Sequence, residues 1–500
     1  MIGMAVLNPP SEVELKFDVA RQDLEGLLAS PLWRNQPPIG LTSTYFDTDD
    51  QLLLRAGLSL RLRAGVQTLK ASRPDMSGLF ERSEWEHEVP GPHLDLTRLT
   101  NTPLADLGLR AEQLRAVVSI FVERRIAMVR TAPDSLVEVA LDIGHIETGG
   151  RTLDFYELEL ERVEGPTRAL FDLALSMANE TRLVASFQSK ADRGFAWLAN
   201  QPAIALKAES RLDLSGLTVG QALRAMVREG LRHILHNGAM VRQERDVEAL
   251  HQIRVALRRL RSALGLFRSV AADDGFVDMR ARLRSLSQLM GKARDLDVLI
   301  ARLEASAVPS PRLLDALIQD RSAAYDAVCR VLNSHAYGQA ILTVMAWAET
   351  GDWLGSSWPQ AELRDRPVLV FANAALERLR RKIKKEGEDL STLAPEAQHR
   401  VRIRAKNLRY AMELFGSLYP DQIPARQDLI EAVKQVQDRL GVMNDRVVGE
   451  QLLRAHDRGP AAFDAGQALS QLYAQQENAS AQAEQALRKA LDLPRFWRKP

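Results

Sequence analysis

The sequence predicts an α+β chain. An eight-stranded antiparallel β-barrel with peripheral helices comes first, and an all-α domain of two similar halves follows. Three observations carry this. Up to residue 200 short segments alternate polar and apolar with a period of two, beyond residue 210 apolar residues recur at three and four, and one basic helical pattern occurs twice.

At 500 residues the chain exceeds a single hydrophobic core. Domains are expected over residues 1–200 and 210–495, with the boundary in the weakly patterned stretch 198–217 around Pro202. No apolar run approaches membrane-spanning length, residues 1–10 lack the basic start and apolar core of a signal peptide, and the single Cys329 precludes an internal disulfide. A cytoplasmic protein with no membrane partner is the expectation. The net charge of +1 conceals a division: residues 1–200 carry 21 basic against 29 acidic side chains, and the remainder 45 against 36. An acidic half suits cation binding, and a basic half suits a polyanion.

The opening strand, residues 12–17, puts Glu12, Glu14 and Lys16 on one face and Val13, Leu15 and Phe17 on the other. A short helix over 23–29 and a strand over 42–46 follow. The strand 58–63 pairs Arg61 with Arg63 on one face, 67–71 carries Lys70, and 82–89 lines up Arg82, Glu84, Glu86 and Glu88. A helix is expected over 103–117 and a strand over 121–130 with Arg124 and Arg125. Residues 137–142 place Glu138 and Asp142 on the same side, and 156–161 repeat the carboxylate ladder with Glu157 and Glu159. A helix over 167–179 and the segment 189–194, with Lys190 expected on a strand and Arg193 after it, close the region. Outward-pointing charges would make a solvated sheet surface. Inward-pointing ones would set a carboxylate cluster beside a ring of cations, which suits a divalent metal bound to a compact polyphosphate. Periodicity does not choose between them.

Glu12-Val-Glu14-Leu-Lys16 resembles the signature that opens the CYTH superfamily, the triphosphate tunnel metalloenzymes. Arg61-x-Arg63, Lys70, Arg82-x-Glu84-x-Glu86, Arg125, Glu138, Glu157-x-Glu159 and Lys190 follow in the family's order across residues 10–200. The resemblance implies a tunnel that hydrolyses or cyclises triphosphates with Mg2+ or Mn2+. It makes Glu12, Glu14, Glu157 and Glu159 metal ligands assisted by Glu138, and Lys16, Arg61, Arg63, Lys70, Arg125 and Lys190 phosphate contacts. With Lys16, the four paired glutamates form the implied catalytic set. One position departs: many relatives have a second basic residue where Glu123 stands, and Arg124 is expected on the opposite face.

In the helical part, His251-x-x-Arg254-x-x-x-Arg258-x-x-Arg261 aligns without gaps on His399-x-x-Arg402-x-x-x-Lys406-x-x-Arg409. Each set forms one stripe along a helix, and two facing stripes would make an anion site. Neither histidine has a second ligand at zinc spacing. Aromatic residues are sparse around both stripes, which leaves nucleic acid without a stacking platform. The doubled element resembles the CHAD domain, which implies two four-helix halves binding inorganic polyphosphate through these eight residues.

Together these readings lead to an inorganic triphosphatase that yields diphosphate and phosphate, with polyphosphate binding by the helical domain. The alternatives are a non-catalytic polyphosphate-binding protein, or a hydrolase or cyclase of nucleoside or thiamine triphosphate.

Overall fold

The computed structural model describes residues 11–71, 82–199, 204–207, 212–306, 311–458, 460–474 and 479–498. It divides into two compact units, residues up to 204 with 333–350, and residues 205–332 with 351 onward.

The first unit contains β1 (Ser11–Glu12), β2 (Glu14–Asp18), β3 (Ile39–Asp47), β4 (Leu58–Arg63), β5 (Val66–Ala71), β6 (Arg82–Glu88), β7 (Arg115–Ala132), β8 (Ser135–Thr148), β9 (Arg151–Glu164) and β10 (Val184–Ala185). Their order in the sheet is β1-β6-β5-β4-β3-β7-β8-β9-β2-β10, with antiparallel pairs throughout. Only Val13 separates β1 from β2, so one strand touches β6 through Glu12 and β9 through Glu14–Asp18. That strand closes the sheet into a barrel of eight strands, and β10 adds a two-residue extension.

The apolar alternation decides which way the barrel faces. Leu15 and Phe17 of β2, Leu158 and Leu160 of β9, and Val137, Val139 and Leu141 of β8 are fully buried on the outer wall. The helix α3 (Thr167–Glu180) contacts β7, β8 and β9 and buries Leu170, Phe171 and Ala174. On the other side, Leu58, Leu60 and Leu69 cluster with Leu53 of the short helix Leu52–Arg55 and with Leu99. Each such side chain contributes about 1.5–3 kcal/mol when buried. With the apolar face covered by helices and turns, the charged face is left inside.

Two expectations fail here. Residues 103–117 form 3-10 turns at Ala105–Leu107 and Ala111–Gln113, then enter β7 at Arg115. Gly108, at φ 60°, breaks any helix there. Lys190 stands on no strand but begins α4 (Lys190–Ala199).

The first unit also includes α1 (Arg21–Leu28), α2 (the Leu52–Arg55 turn) and α10 (His335–Thr350), which packs on α3. In the second unit α5 (Val219–Glu244), α6 (Val247–Leu266), α8 (Gly275–Glu304) and α9 (Pro311–Leu332) make one bundle, with α7 (Arg268–Ala271) a single turn. After α11 (Ala361–Arg364), α12 (Val368–Glu386), α13 (Pro395–Leu414), α14 (Ile423–Arg454) and α16 (Ala479–Asp492) make the other, with α15 (Ala462–Ala474) against α14. The repeat seen in sequence is structural: α6 and α13 are both 20 residues long. The phenylalanines that follow them, Phe267 and Phe415, meet with ring centroids 6.1 Å apart, beside Phe371. Among the described residues no helix is long and apolar enough to cross a membrane.

Candidate active site and basic cavity

The barrel encloses a cavity of about 430 Å³ lined by charged side chains. Cross-strand register arranges its acidic wall as three rows over β2, β9 and β8. The first row is Glu14–Glu161–Glu138, the second Lys16–Glu159–Ala140, and the third Asp18–Glu157–Asp142. Like charges directly opposite one another repel, so each row needs cations.

Cations of the protein meet carboxylates of all three rows. Lys16 Nζ donates to Glu159 at 2.6 Å and lies 3.0 Å from Glu14. Lys190, the first residue of α4, is bound to Glu159 at 2.8 Å, to Asp142 at 2.9 Å and to Glu157. Arg124 forks onto Asp142 at 2.7 and 2.6 Å and reaches Glu159. Arg193 bridges Asp18 at 2.6 Å and Glu157 at 2.7 Å. Burial opposes ionisation of both glutamates. It pushes Glu157 up despite Lys190, whereas Lys16, Lys190 and Arg124 together hold Glu159 well below the usual carboxylate range. Burial likewise opposes the charge on Lys190, but Glu157, Glu159 and Asp142 raise it well above the ordinary lysine value.

The opposite wall sets Arg61, Arg63 and Lys70 beside Glu84 and Glu86. Arg61 bonds Thr68 at 3.0 Å, and its Nε is buried with no hydrogen-bond partner among the described residues. Lys70 pairs with Glu84 at 2.8 Å. Burial and then the neighbouring Arg61 and Arg124 pull the Arg63 guanidinium down, as expected where cations crowd around room for an anion.

Of the expected phosphate contacts, Lys16, Arg61, Arg63, Lys70 and Lys190 line the cavity. Arg125 does not: its guanidinium binds the Gln36 carbonyl at 2.8 Å, and Arg124 is the arginine that faces in. Glu123 shares the outward parity of Arg125, so its acidic character takes nothing from the site. Of the expected metal ligands, Glu14, Glu138 and Glu159 face the cavity, and Glu157 is wholly buried behind them. The side chain of Glu12 lies outside the described residues. Asp142 and Glu161 were missed as ligand candidates, although Asp142 shares a face with Glu138 and Glu161 continues the Glu157–Glu159 alternation. One oxygen from each of Asp142, Glu157 and Glu159 lies within 4.8 Å of the others, a spacing that can hold a metal ion.

The helical unit contains a second cavity, of about 860 Å³, between α6 and α13. Arg258 and Arg261 line it from α6 and Lys406 from α13. Arg268, Arg280, Arg378, Lys382 and Arg404 add to it, and among the described residues no carboxylate is on its wall. Burial, with Arg284 and Arg280 nearby, pulls Arg261 down. Arg258 Nε is buried without a hydrogen-bond partner among the described residues. The other predicted residues stand off this cavity. Arg254 donates to the Met290 carbonyl at 2.9 Å, over Gly291, where a Cβ would come within 3.1 Å of the guanidinium. Arg402 sits over Gly441 in the same way, and Arg409 bonds Gln437 and Glu413 at 3.1 Å each. His251 is half-buried, and burial together with Arg294 lowers it, while His399 is exposed.

Comparison with known families agrees with both halves of this description. The CYTH domain family matches residues 10–195 and the CHAD domain family residues 225–454. The chain joins a CYTH domain to a CHAD domain. The CYTH part is similar to an inorganic triphosphatase of Haemophilus influenzae, 30% identical over 37% of this chain and 54% of that protein. The chain thus spans about half the length of that relative. An uncharacterized protein of Mycobacterium tuberculosis is 26% identical over 96% of both chains. The CHAD domain of the plant Ricinus communis, a solved structure, is 30% identical over 59% of this chain and 97% of its own, with a TM-score of 0.48.

Proposed function

We propose that the CYTH tunnel hydrolyses inorganic triphosphate to diphosphate and phosphate with Mg2+ or Mn2+, and that the CHAD unit binds inorganic polyphosphate. One observation carries this: a closed barrel whose interior sets a row of carboxylates against a wall of arginines and lysines. The similarity to an inorganic triphosphatase supports it at the level of the family.

A triphosphate brings about four to five negative charges. Among the described residues the cavity wall carries six cations, Lys16, Arg61, Arg63, Lys70, Arg124 and Lys190, against seven carboxylates, a balance that does not offset such an anion. Glu14, Glu161 and Glu138, directly opposite one another and open to the cavity, are hard oxygen donors and fit a small divalent cation. Bound there, the cation would neutralise charge developing on the terminal phosphoryl group and polarise an attacking water. Arg61, Arg63 and Arg124 orient the chain of phosphates and keep it from rotating. Water oxygen then bonds to the terminal phosphorus, the bridging P–O bond breaks, diphosphate leaves, and the water's proton passes to solvent or product.

The test is phosphate release from tripolyphosphate, ATP and thiamine triphosphate with added Mg2+ or Mn2+. Tripolyphosphate is expected to be the best substrate, and wild-type turnover by both Glu14→Gln and Glu159→Gln would defeat the reading. For the CHAD unit, long-chain polyphosphate is expected to outcompete a short RNA for binding. Equal competition by the RNA would defeat that part.

A further inference from the structure

The helix α10 is coded between the two bundles of the helical unit, yet it folds with the barrel. The chain leaves the helical unit after Leu332 and re-enters it at Gly351. No charged side chain stands between His335 and Glu349, and Ile341, Leu342, Val344, Met345 and Trp347 are buried. The start of the helix is fastened to the end of α3 and the segment that follows it. Arg182, only 9% exposed, binds Asp23 at 2.8 Å and the Asn333 carbonyl and side-chain oxygens at 3.3 and 3.1 Å. Gln339 donates to Asn179 at 2.7 Å and to the Ala178 carbonyl at 3.3 Å. Beside these contacts, Gly338 lies on the Leu183 carbonyl. A Cβ at Gly338 would come within 2.1 Å of that oxygen, so glycine alone lets helix and carbonyl approach so closely.

Leu183 leads directly into β10. Val184 and Ala185 pair with Asp18 and Phe17 of β2, and the Ser186 N–H donates to the Lys16 carbonyl at 2.9 Å. The other edge of β2 pairs with β9 over Glu14–Asp18. Lys16 is therefore placed by a five-residue ladder on one side and by a strand of only two residues on the other. So short a strand needs packing behind it to hold its place. We propose that α10 is a working part of the tunnel: it braces β10 against β2 and so sets the position from which Lys16 meets the substrate. Gly338 is a positioning residue, acting through Leu183, β10 and Lys16. A methyl group at position 338 would drive the Leu183 carbonyl off the helix, and the β10 pairs and the Ser186 hydrogen bond would move with it. The Lys16 ammonium, 2.6 Å from Glu159 and 3.0 Å from Glu14, would shift in turn.

This role rests on Lys16 contacting the triphosphate, as proposed for the tunnel. The experiment combines tripolyphosphate kinetics of the full chain with amide hydrogen exchange. Gly338→Ala is expected to raise KM about fivefold or more, with kcat within about threefold, because a displaced charge-assisted contact weakens binding. Exchange should quicken in peptides covering Glu14–Asp18 and residues 183–186. Arg182→Gln, which relaxes the same joint without a clash, is expected to shift KM and exchange in the same direction and by less. Gln339→Ala, which loosens α10 from α3 alone, should lower Tm and leave KM within about twofold. An unchanged KM in both Gly338→Ala and Arg182→Gln, with or without a fall in Tm, would make α10 mere packing and overturn the proposal. Equal rises in KM for Gln339→Ala and Gly338→Ala would overturn it as well. A wild type that releases no phosphate from tripolyphosphate would sink the tunnel's proposed reaction instead. The exchange comparison would then decide the bracing of β2 by itself: faster exchange in Gly338→Ala supports it, and equal exchange overturns it.

Discussion

Lys16 and Glu159 face each other across the β2–β9 ladder, and their side chains meet at 2.6 Å inside the barrel. Glu159 also takes Lys190 and Arg124, so three cations from β2, α4 and β7 converge on one carboxylate. Removing that carboxylate while the cations remain leaves buried charge uncompensated. Glu159→Gln is expected to lower stability by about 3 kcal/mol, the low end for breaking a buried ion pair, read by urea denaturation of the full chain. Turnover of tripolyphosphate should fall at least tenfold. A stability change under about 1 kcal/mol would show that the three cations do not depend on Glu159.

Arg124 and Arg125 are neighbours with opposite fates. Arg124→Gln is expected to raise KM for tripolyphosphate about tenfold or more, the scale of losing a charge-assisted fork. Arg125→Gln, whose guanidinium holds a loop carbonyl at Gln36, should leave KM within about twofold. Steady-state kinetics on the two variants checks this, and the reverse order would place the wrong arginine in the lumen.

Tyr410 is 2% exposed and lies between two arginines, with Arg258 Cζ 5.3 Å and Arg409 Cζ 4.7 Å from its ring centroid. One arginine comes from each half of the repeat. Cation–π contacts of this kind contribute about 0.5–2 kcal/mol. Tyr410→Leu is therefore expected to weaken polyphosphate binding severalfold, measured by calorimetry. Tyr410→Phe, which keeps the ring and loses only the Arg409 hydrogen bond at 3.1 Å, should weaken it less.

Glu229 gives the helical unit an acid-sensitive contact. Burial opposes its charge, but hydrogen bonds from His233 at 2.9 Å and Arg232 hold its carboxyl at about 2. A carboxylate depressed in the folded state stabilises above its unfolded value of 4.5, and that stabilisation is lost as pH falls toward 2. Glu229→Gln is expected to cost about 1–2 kcal/mol near neutral pH, after allowance for its partial exposure, and almost nothing near pH 2. Thermal unfolding across that range distinguishes this from a pH-independent packing loss.

Much of the site is legible in sequence because a strand's side-chain period is two. Glu14 with Lys16, Arg61 with Arg63, and Glu157 with Glu159 each announce a charged face, and all of these face inward or lie directly behind the inner wall. The choice between Arg124 and Arg125 fails for a physical reason. On β7 the inward positions around Arg124 are Ile120, Val122 and Ile126, so the strand is apolar on its lumen side and mixed on the other. Its polar pattern therefore gives no direction. Asp142 is four residues from Glu138 on one face, a visible signal that passes for solvated charge until Lys190 and Arg124 are seen upon it.

The helical repeat shows the same division. The doubled stripe is plain in sequence, and α6 and α13 reproduce it with equal lengths. Yet only Arg258, Arg261 and Lys406 of the eight reach the cavity wall. Arg254 and Arg402 turn to lie over glycines of α8 and α14. Periodicity places a residue on a helix face but not at a depth along it, and which part of a stripe meets a cavity depends on where two helices cross.

The sequence by itself determined an alternating half followed by a helical, duplicated half, and the residue types able to hold a metal and a polyphosphate. Tertiary structure decided which face of the strands turned inward, because helices and turns far along the chain cover the apolar one. It also decided that Lys190 and Arg193, on a helix, would meet carboxylates of β2, β8 and β9. Those contacts join residues up to 175 positions apart, and no local pattern encodes a distance of that kind.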